Sequence, residues 1–239
     1  VLDCDGVISL GEAQPFKLPL FERLSDLNQR ARRGEPVPAV TLNTGRPSPY
    51  VEAVMQAMAG WRPALYENGA GLYRPHDYQF KTTPLLTEAH QTALAEILRQ
   101  VDREIVQPGL AYWQPGKSVC HSLFAHAPHT IDSIFPAVEA IVRRVSPEFV
   151  AVPAVLALNI YPAGINKGSG LHWLSRETGI DVADMAGVGD SASDVDFLRL
   201  VGQPAAPANA TAEVKAVARY VSPHRDAAGT LDILNHWLR

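Results

Sequence analysis

Several things are scarce in this chain of 239 residues. It has only two cysteines, Cys4 and Cys120. One possible pair is no disulfide framework, and two thiols fit a reducing compartment, so a cytoplasmic location is expected. No set of Cys and His has the spacing of a zinc site. No block of basic residues occurs. The 21 Lys and Arg are interspersed with 25 Asp and Glu for a net charge of −4, which lacks the footprint of a nucleic-acid-binding protein. The longest apolar stretch, 149–161, is broken by Pro153 and Asn159, so no membrane partner is expected. Internal repeats and low-complexity tracts are missing too. What is present is 46% hydrophobic and 19% charged residues, a globular composition with length for one large domain or two smaller ones.

Hydrophobic spacing divides the chain by texture. Apolar residues at Leu20, Leu24, Leu27 and Ala31 predict a helix over 18–32, with Pro19 in its first turn. A β-branched run over 37–42 reads as a strand, 49–58 as a helix, 64–66 as a strand, and Leu72 and Tyr73 as a returning hairpin strand. Only Val1 and Leu2 precede Asp3. That is shorter than the ~5 residues usual for a strand, so the strand delivering Asp3 is expected to begin upstream. Residues 86–106, 109–113, 118–126, 130–145, 149–152 and 155–161 then read as α-β-β-α-β-β. Their short turns require antiparallel pairing. From 169 onward an alternation of helices and short strands resumes, with strands at 185–188, 203–208 and 220–222 and a closing helix at 229–238.

Alternating strands and helices imply an α/β core with a parallel sheet wound on both faces. The core is expected to comprise 1–81 and 162–239, and the inserted α+β layer 82–161. Ligands of such sheets sit at the carboxyl ends of the strands. Four acidic or glycine-containing segments fall there in order. They are Asp3-Cys4-Asp5-Gly6, Thr41-Leu42-Asn43-Thr44-Gly45-Arg46-Pro47, Asn166-Lys167-Gly168, and Gly187-Val188-Gly189-Asp190-Ser191-Ala192-Ser193-Asp194.

Each segment alone has an ordinary reading. Asp3 and Asp5 suit a turn, Asn43-Thr44-Gly45 suits a strand-to-helix turn with a cap, and a lysine at a helix start is usually solvated. The acids at 190 and 194 suit a helix dipole. As an ordered set, the segments resemble the phosphatases of the haloacid dehalogenase superfamily, over nearly the whole chain. Gly45-Arg46-Pro47 and Glu67-Asn68-Gly69 resemble the subgroup with a large cap between the second and third motifs. That subgroup acts on substrates such as sucrose phosphate, mannosyl-phosphoglycerate and phosphoglycolate. The resemblance implies a Rossmannoid parallel-sheet core with an inserted α+β cap. It implies Asp3 as nucleophile, Asp5 as general acid and base, Thr44 and Gly45 as phosphate binders, Lys167 as the charge-balancing lysine, and Asp190 and Asp194 as the acidic pair. Two positions depart from the pattern. Val7 stands where many relatives carry Thr, and Ser193 where Asn is usual.

The chemistry fits these assignments. A carboxylate such as Asp3 serves as a nucleophile toward phosphorus only if its charge is offset. A metal bridging carboxylate and phosphate does this. Asp3, Asp190, Asp194 and Asp5 through its carbonyl offer hard oxygens, which favours Mg²⁺. Asp5, two residues from Asp3 on an extended strand end, points to the same side and is placed to protonate the leaving oxygen and later activate water. Thr44 offers a hydroxyl and a backbone N–H, and Gly45 favours an N–H cluster for an oxyanion. Lys167 offsets charge on the transferring phosphoryl group.

Arg46 and Asn209, and Lys117, His121 and Asn159 on or beside the strands of the inserted layer, are the candidates for contacts with the rest of the substrate. A helix cap is an equal reading for Asn209, and the wet face of an antiparallel sheet for the other three. The expected activity is hydrolysis of a small phosphorylated metabolite, a sugar phosphate or a phosphorylated acid. A phosphomutase and a non-catalytic binding protein are the alternatives.

Overall fold

The computed structural model describes residues 1–154 and 156–238. The chain divides into two compact units, one of residues 1–83 and 166–239 and one of residues 84–165. In chain order the elements are α1 (Leu18–Arg32), α2 (Ser48–Ala57), β1 (Ala64–Tyr66), β2 (Gly71–Arg74) and β3 (Gln79–Thr82). Then come α3 (Glu88–Val101), β4 (Ala111–Trp113), β5 (His121–Ala125), α4 (Ile131–Val145), β6 (Phe149–Pro153) and β7 (Leu158–Pro162). The chain closes with α5 (Lys167–Thr178), β8 (Ala186–Val188), α6 (Val195–Leu198), β9 (Gln203–Ala206), α7 (Ala212–Val217), β10 (Tyr220–Val221) and α8 (Asp226–Trp237).

The larger unit is a parallel α/β layer. Strands β10, β9 and β8 pair in parallel. Single parallel bridges carry the pattern on from Val188 to Leu2, from Leu2 to Leu42, and from Asn43 to Leu65. Beyond β1 the sheet turns antiparallel through β2 and β3. Apolar side chains leave both faces, as a doubly wound sheet requires. Leu2, Val188 and Ala205 pack with Leu24 of α1, Val51 of α2 and Ile233 of α8. Leu65, Leu72 and Ala206 pack with Leu171 of α5, Phe197 of α6 and Val214 of α7. The expected strand over 37–42 contracts to bridges at Leu42 and Asn43; Pro38 lacks an N–H, and the Val40 N–H donates to the Asn28 side chain (2.7 Å) rather than to a neighbouring strand. Strand β3, which hydrophobic spacing did not reveal, is largely exposed. It is held by its pairing with β2 and by the stacking of Phe80 on Tyr73, 4.7 Å between ring centres.

The inserted unit is a four-stranded antiparallel sheet of order β4-β5-β7-β6. Helices α3 and α4 each start with a reciprocal cap, Thr87 with His90 and Thr130 with Ser133. Their apolar stripes, Leu94, Ile97 and Val101 on one and Ile134, Val138 and Ile141 on the other, join Leu123, Leu158 and Ile160 of the sheet in a separate core. The helix expected over 86–106 changes pitch after Val101 into a wider turn over Asp102–Val106. Val155, the expected first residue of the last strand, lies outside the described residues. No helix among the described residues is long and apolar enough to cross a membrane.

Candidate active site

The four sequence segments meet at the carboxyl ends of the parallel strands, and hydrogen bonds tie them together. The Asn43 N–H donates to the Leu2 carbonyl (2.8 Å) and the Asp3 N–H to the Val188 carbonyl (3.0 Å). This sets the Asp3 loop between the Thr44 turn and the Asp190 loop. The Asn43 side chain donates to the Lys167 carbonyl (2.9 Å), which fixes the first residue of α5 against the Thr44 turn. Helix α5 begins with Asn166 as cap, its side chain accepting from the Ser169 N–H at 2.8 Å. The first turn of α5 approaches the Asn68-Gly69 turn closely. A Cβ on Gly170 would lie 2.6 Å from the Gly69 Cα, and one on Gly69 2.7 Å from the Gly170 Cα.

At the centre, Lys167 Nζ donates to Asp194 Oδ1 at 2.6 Å and lies 2.8 Å from Asp3 Oδ1. All three side chains are buried. Asp194 Oδ2 accepts from the Asp190 and Ser191 N–H groups (3.0 and 2.9 Å) and from the Ser191 hydroxyl (3.0 Å). Both Asp194 oxygens are therefore engaged, and this carboxylate organises the loop and orients the lysine. Oxygens of Asp3, Asp190 and Asp194 lie within 4.8 Å of one another. Three carboxylates against one ammonium leave two negative charges when all are ionised.

The electrostatics follow. Burial, then the neighbouring Asp194, push the Asp3 carboxyl up to about 8, against the pull of Lys167. Burial and Asp194 likewise push Asp190 up to about 7, while Lys167 and Asn209 draw it down. Burial alone would lower the Lys167 ammonium, but Asp194 and Asp3 outweigh it and hold the pKa above the ordinary lysine range. A cluster of hard carboxylate oxygens, with Asp3 and Asp190 raised first by burial and then by Asp194, fits a divalent cation.

Asp5 stands apart from this cluster. The Arg46 guanidinium grips it through two parallel bonds, Nε to Oδ2 at 2.7 Å and Nη2 to Oδ1 at 2.6 Å. Arg46 also reaches Glu12 (3.3 Å) and lies over the Tyr50 ring (4.8 Å). The Asp5 side chain is thus paired with Arg46, whereas the expected metal ligand is its backbone carbonyl. Arg46, expected to face substrate, is buried and engaged by carboxylates of the chain itself.

Thr44 is buried. Its N–H donates to the Leu65 carbonyl (3.2 Å), so of the two donors expected there only the hydroxyl remains, and that oxygen accepts from the Arg46 N–H (3.2 Å). Gly45 passes close to the Asn68 carboxamide, where a Cβ would lie 3.1 Å from its oxygen. Gly6 has φ +75, and a Cβ there would lie 2.0 Å from Asp190 Oδ2, so glycine is what lets the Asp3 loop and the Asp190 carboxylate sit together. Asn209 donates to that same Oδ2 at 3.1 Å.

In the inserted unit the three candidates separate. His121 pairs in register with Ile160 and Asn159 with Ser122. Cross-strand partners share a face, so His121 lies on the helix-backed side, against Trp113 (5.8 Å between rings). Asn159 lies on the opposite face, accepting from the Ser122 hydroxyl at 2.7 Å. Lys117 lies between the turn at 115–116 and β5. The sheet register, which a sequence with irregular turns does not reveal, thus sets His121 and Asn159 on opposite faces of the sheet. Sequence reasoning also missed Asn43, Glu12, Tyr50 and Ser191. Asn43 and Ser191 lie within the recognised segments. Glu12 and Tyr50 carry no local signal, because their link to the site is made only by the fold around Arg46.

A cavity of about 640 Å³ opens at the other end of the sheet, lined by Val1, Pro38, Arg62, Met185 and Trp237 among others. Leu2 and Thr41 reach it, but Asp3, Asp5, Thr44, Lys167, Asp190 and Asp194 do not line it, and Asp184 is the one carboxylate among its lining residues.

An α/β core with an inserted α+β layer, and a lysine shared by buried carboxylates at its strand ends, defines a hydrolase of the Rossmannoid, capped type. Residues 115–234 match the family model of haloacid dehalogenase-like hydrolases, and the chain belongs to that family. A phosphoglycolate phosphatase of Methanopyrus kandleri is 27% identical over 240 residues, covering 100% of this chain and 96% of that protein. One of Methanothrix thermoacetophila is 40% identical over 80 residues, 34% of this chain and 36% of its own length. The match thus spans about a third of that second relative. Among solved structures, a Thermoplasma acidophilum protein shares the fold with a TM-score of 0.76 at 19% identity, covering 99% of this chain and 96% of its own. A haloacid dehalogenase-like hydrolase of Bacteroides thetaiotaomicron does so with a TM-score of 0.74 at 16% identity, covering 99% and 97%.

Proposed function

We propose that the protein is a Mg²⁺-dependent phosphatase of small phosphorylated metabolites, sugar phosphates or phosphorylated acids, working through an aspartyl-phosphate on Asp3. The observation that carries this reading is the setting of Asp3. Its carboxyl group is buried, shares Lys167 with Asp194, and lies with Asp190 in a cluster of three acids around one ammonium. A lysine held by two carboxylates is a fixed positive charge, preorganised for a phosphoryl group rather than free to wander. Asp3 and Asp190 would hold the metal, which when bound supplies the charge that lets an anionic nucleophile meet a phosphate.

The residues then divide the work. Asp3 Oδ bonds to phosphorus as the bond from phosphorus to the leaving oxygen breaks, and Asp5, once an oxygen leaves Arg46 and takes a proton from solvent, delivers that proton to the leaving oxygen. In the second half Asp5 takes a proton from water, the water oxygen bonds to phosphorus, and Asp3 is released with free phosphate. Arg46 holds Asp5 in place by its two-pronged contact. The Thr44 hydroxyl and Lys167 face the charge spread over the phosphoryl oxygens. Because two relatives bear the name phosphoglycolate phosphatase, 2-phosphoglycolate is the first acid to test, beside hexose phosphates.

The test is phosphate release from a panel of such metabolites and an aryl phosphate, with Mg²⁺ or with EDTA. Release is expected from at least one metabolite, dependent on Mg²⁺ and lost in Asp3→Asn, whose melting temperature should stay near wild type. Equal release in EDTA, or a wild type inactive on the whole panel including the aryl phosphate, would sink the reading. Transfer of phosphate to a second hydroxyl of the substrate instead of to water would make it a mutase.

A further inference from the structure

Asn209 lies 19 residues beyond Asp190, outside every segment discussed as catalytic, yet its carboxamide is fully employed at the site. Nδ2 donates to Asp190 Oδ2 (3.1 Å) and to the Gly6 carbonyl (2.9 Å). Oδ1 accepts from the Asp226 N–H at the start of α8 (2.7 Å). The three partners belong to three different stretches of chain. One is the loop after β8, one the loop after Asp3, and one the first turn of the last helix.

The helix-cap role that its position suggests is taken by another residue. The Thr211 side chain caps α7, accepting from the Val214 N–H. The Thr211 N–H also donates to the Asp190 carbonyl (2.9 Å). The stretch 209–211 therefore holds Asp190 twice, by its backbone and by its carboxylate. Asp190 Oδ1 accepts no hydrogen bond among the described residues. Helix α8 adds a second tie to the Asp3 loop, the Thr230 hydroxyl donating to the Val7 carbonyl at 2.7 Å. That tie is buried and touches no carboxylate of the site.

We propose that Asn209 is a positioning residue for the metal site. By occupying Asp190 Oδ2 and locking it against the Gly6 turn, it leaves the other oxygen of Asp190 for the divalent cation that Asp190 and Asp3 would hold. The proposal rests on the metal-dependent reading above. An outer hydrogen-bond partner of a metal-binding carboxylate fixes the orientation of that ligand before the ion arrives, and its removal costs metal affinity. Among the side chains, asparagine suits this place because it offers two N–H donors and a carbonyl acceptor at once. An aspartate there would set a second negative charge against Asp190 Oδ2 and the Gly6 carbonyl.

The experiment measures Mn²⁺ binding to full-length protein by electron paramagnetic resonance of the free ion, with no substrate present. Four variants are compared with wild type: Asn209→Ala, Asn209→Ser, Asp190→Ala and Thr230→Val. Asp190→Ala should abolish the site. Asn209→Ala should weaken Mn²⁺ binding by about 10-fold or more. Thr230→Val should melt earlier than wild type with its Mn²⁺ affinity unchanged, which separates loss of α8 docking from loss of aim at Asp190. If Asn209→Ala does not fold, Asn209→Ser reads the same loss, since serine cannot span from Asp226 to Asp190. A folded Asn209 variant that binds Mn²⁺ within about twofold of wild type, while Asp190→Ala does not bind, would overturn the role of Asn209 alone. Equal binding by wild type and Asp190→Ala would overturn the metal-site reading and this proposal with it.

Discussion

Asp190 is a carboxylate kept partly protonated by its surroundings, and that has a measurable sign. Burial and Asp194 raise its pKa to about 7, above the value it has in an unfolded chain. The folded state thus keeps a proton there that the unfolded state gives up. Its contribution to stability is present at low pH and is lost as pH rises through the window from about 4 to about 7. Asp190→Asn keeps the shape and removes the titration. In EDTA, the melting temperature of Asp190→Asn minus that of wild type should therefore grow more positive between pH 5 and pH 8. A change of a few degrees is expected, the size of ~1–2 kcal/mol for a domain of this length. Saturating Mg²⁺ should raise wild type and erase the advantage, whereas a difference that shrinks with pH in EDTA would contradict the assignment. Gly6 gives a second test at this scale. With φ +75 and a Cβ landing on Asp190 Oδ2, Gly6→Ala should cost on the order of 1–3 kcal/mol, seen as an earlier urea midpoint, and should weaken Mg²⁺ dependence as well. Asp5, gripped by Arg46, gives a third. Asp5→Asn should slow release from alkyl phosphates by ~100-fold or more and from aryl phosphates by less, because aryl leaving groups need little protonation. Equal losses would mean that Asp5 does not protonate the leaving oxygen.

Secondary-structure elements carry the next level of explanation. Strong helical periodicity made α1 legible from Leu20, Leu24 and Leu27, all of which are buried on one face. Strand β1 was legible because it is short, apolar and fully buried. Strand β3 was not, because its residues are mostly exposed and its order comes from pairing with β2. Register was the other illegible quantity, since shifting a strand by one residue exchanges its faces. Register is what sets His121 and Asn159 on opposite sides of the inserted sheet. Loss of the ring packed against Trp113 should lower the stability of that unit, so His121→Ala should melt earlier with little change in preference among substrates. Asn159→Ala, on the face away from the helices, should instead shift kcat/KM for the best metabolite relative to an aryl phosphate by severalfold, about ~1 kcal/mol of transition-state stabilisation. A change in preference for His121→Ala and none for Asn159→Ala would reverse the assignment of faces to functions.

For the whole molecule, the order of four short segments along the chain was enough to read a haloacid dehalogenase-like hydrolase, because the parallel sheet sets the carboxyl ends of non-adjacent strands side by side. What sequence order does not reveal is which side chains then touch. The Lys167 bridge between Asp3 and Asp194, the Arg46 grip on Asp5, and the reach of Asn209 to Asp190 each join residues 19 or more positions apart. These contacts turn a list of acids into one connected cluster of carboxylates around a shared lysine. The claim on which all of this depends is that phosphate passes through Asp3. The direct measurement is acid quenching during turnover of a ³²P-labelled substrate, followed by digestion and mass analysis of the labelled peptide. Wild type should carry hydroxylamine-labile phosphate on the peptide containing Asp3, and Asp3→Asn should carry none and release no phosphate. Turnover by Asp3→Asn, or label trapped on a different residue, would contradict the account.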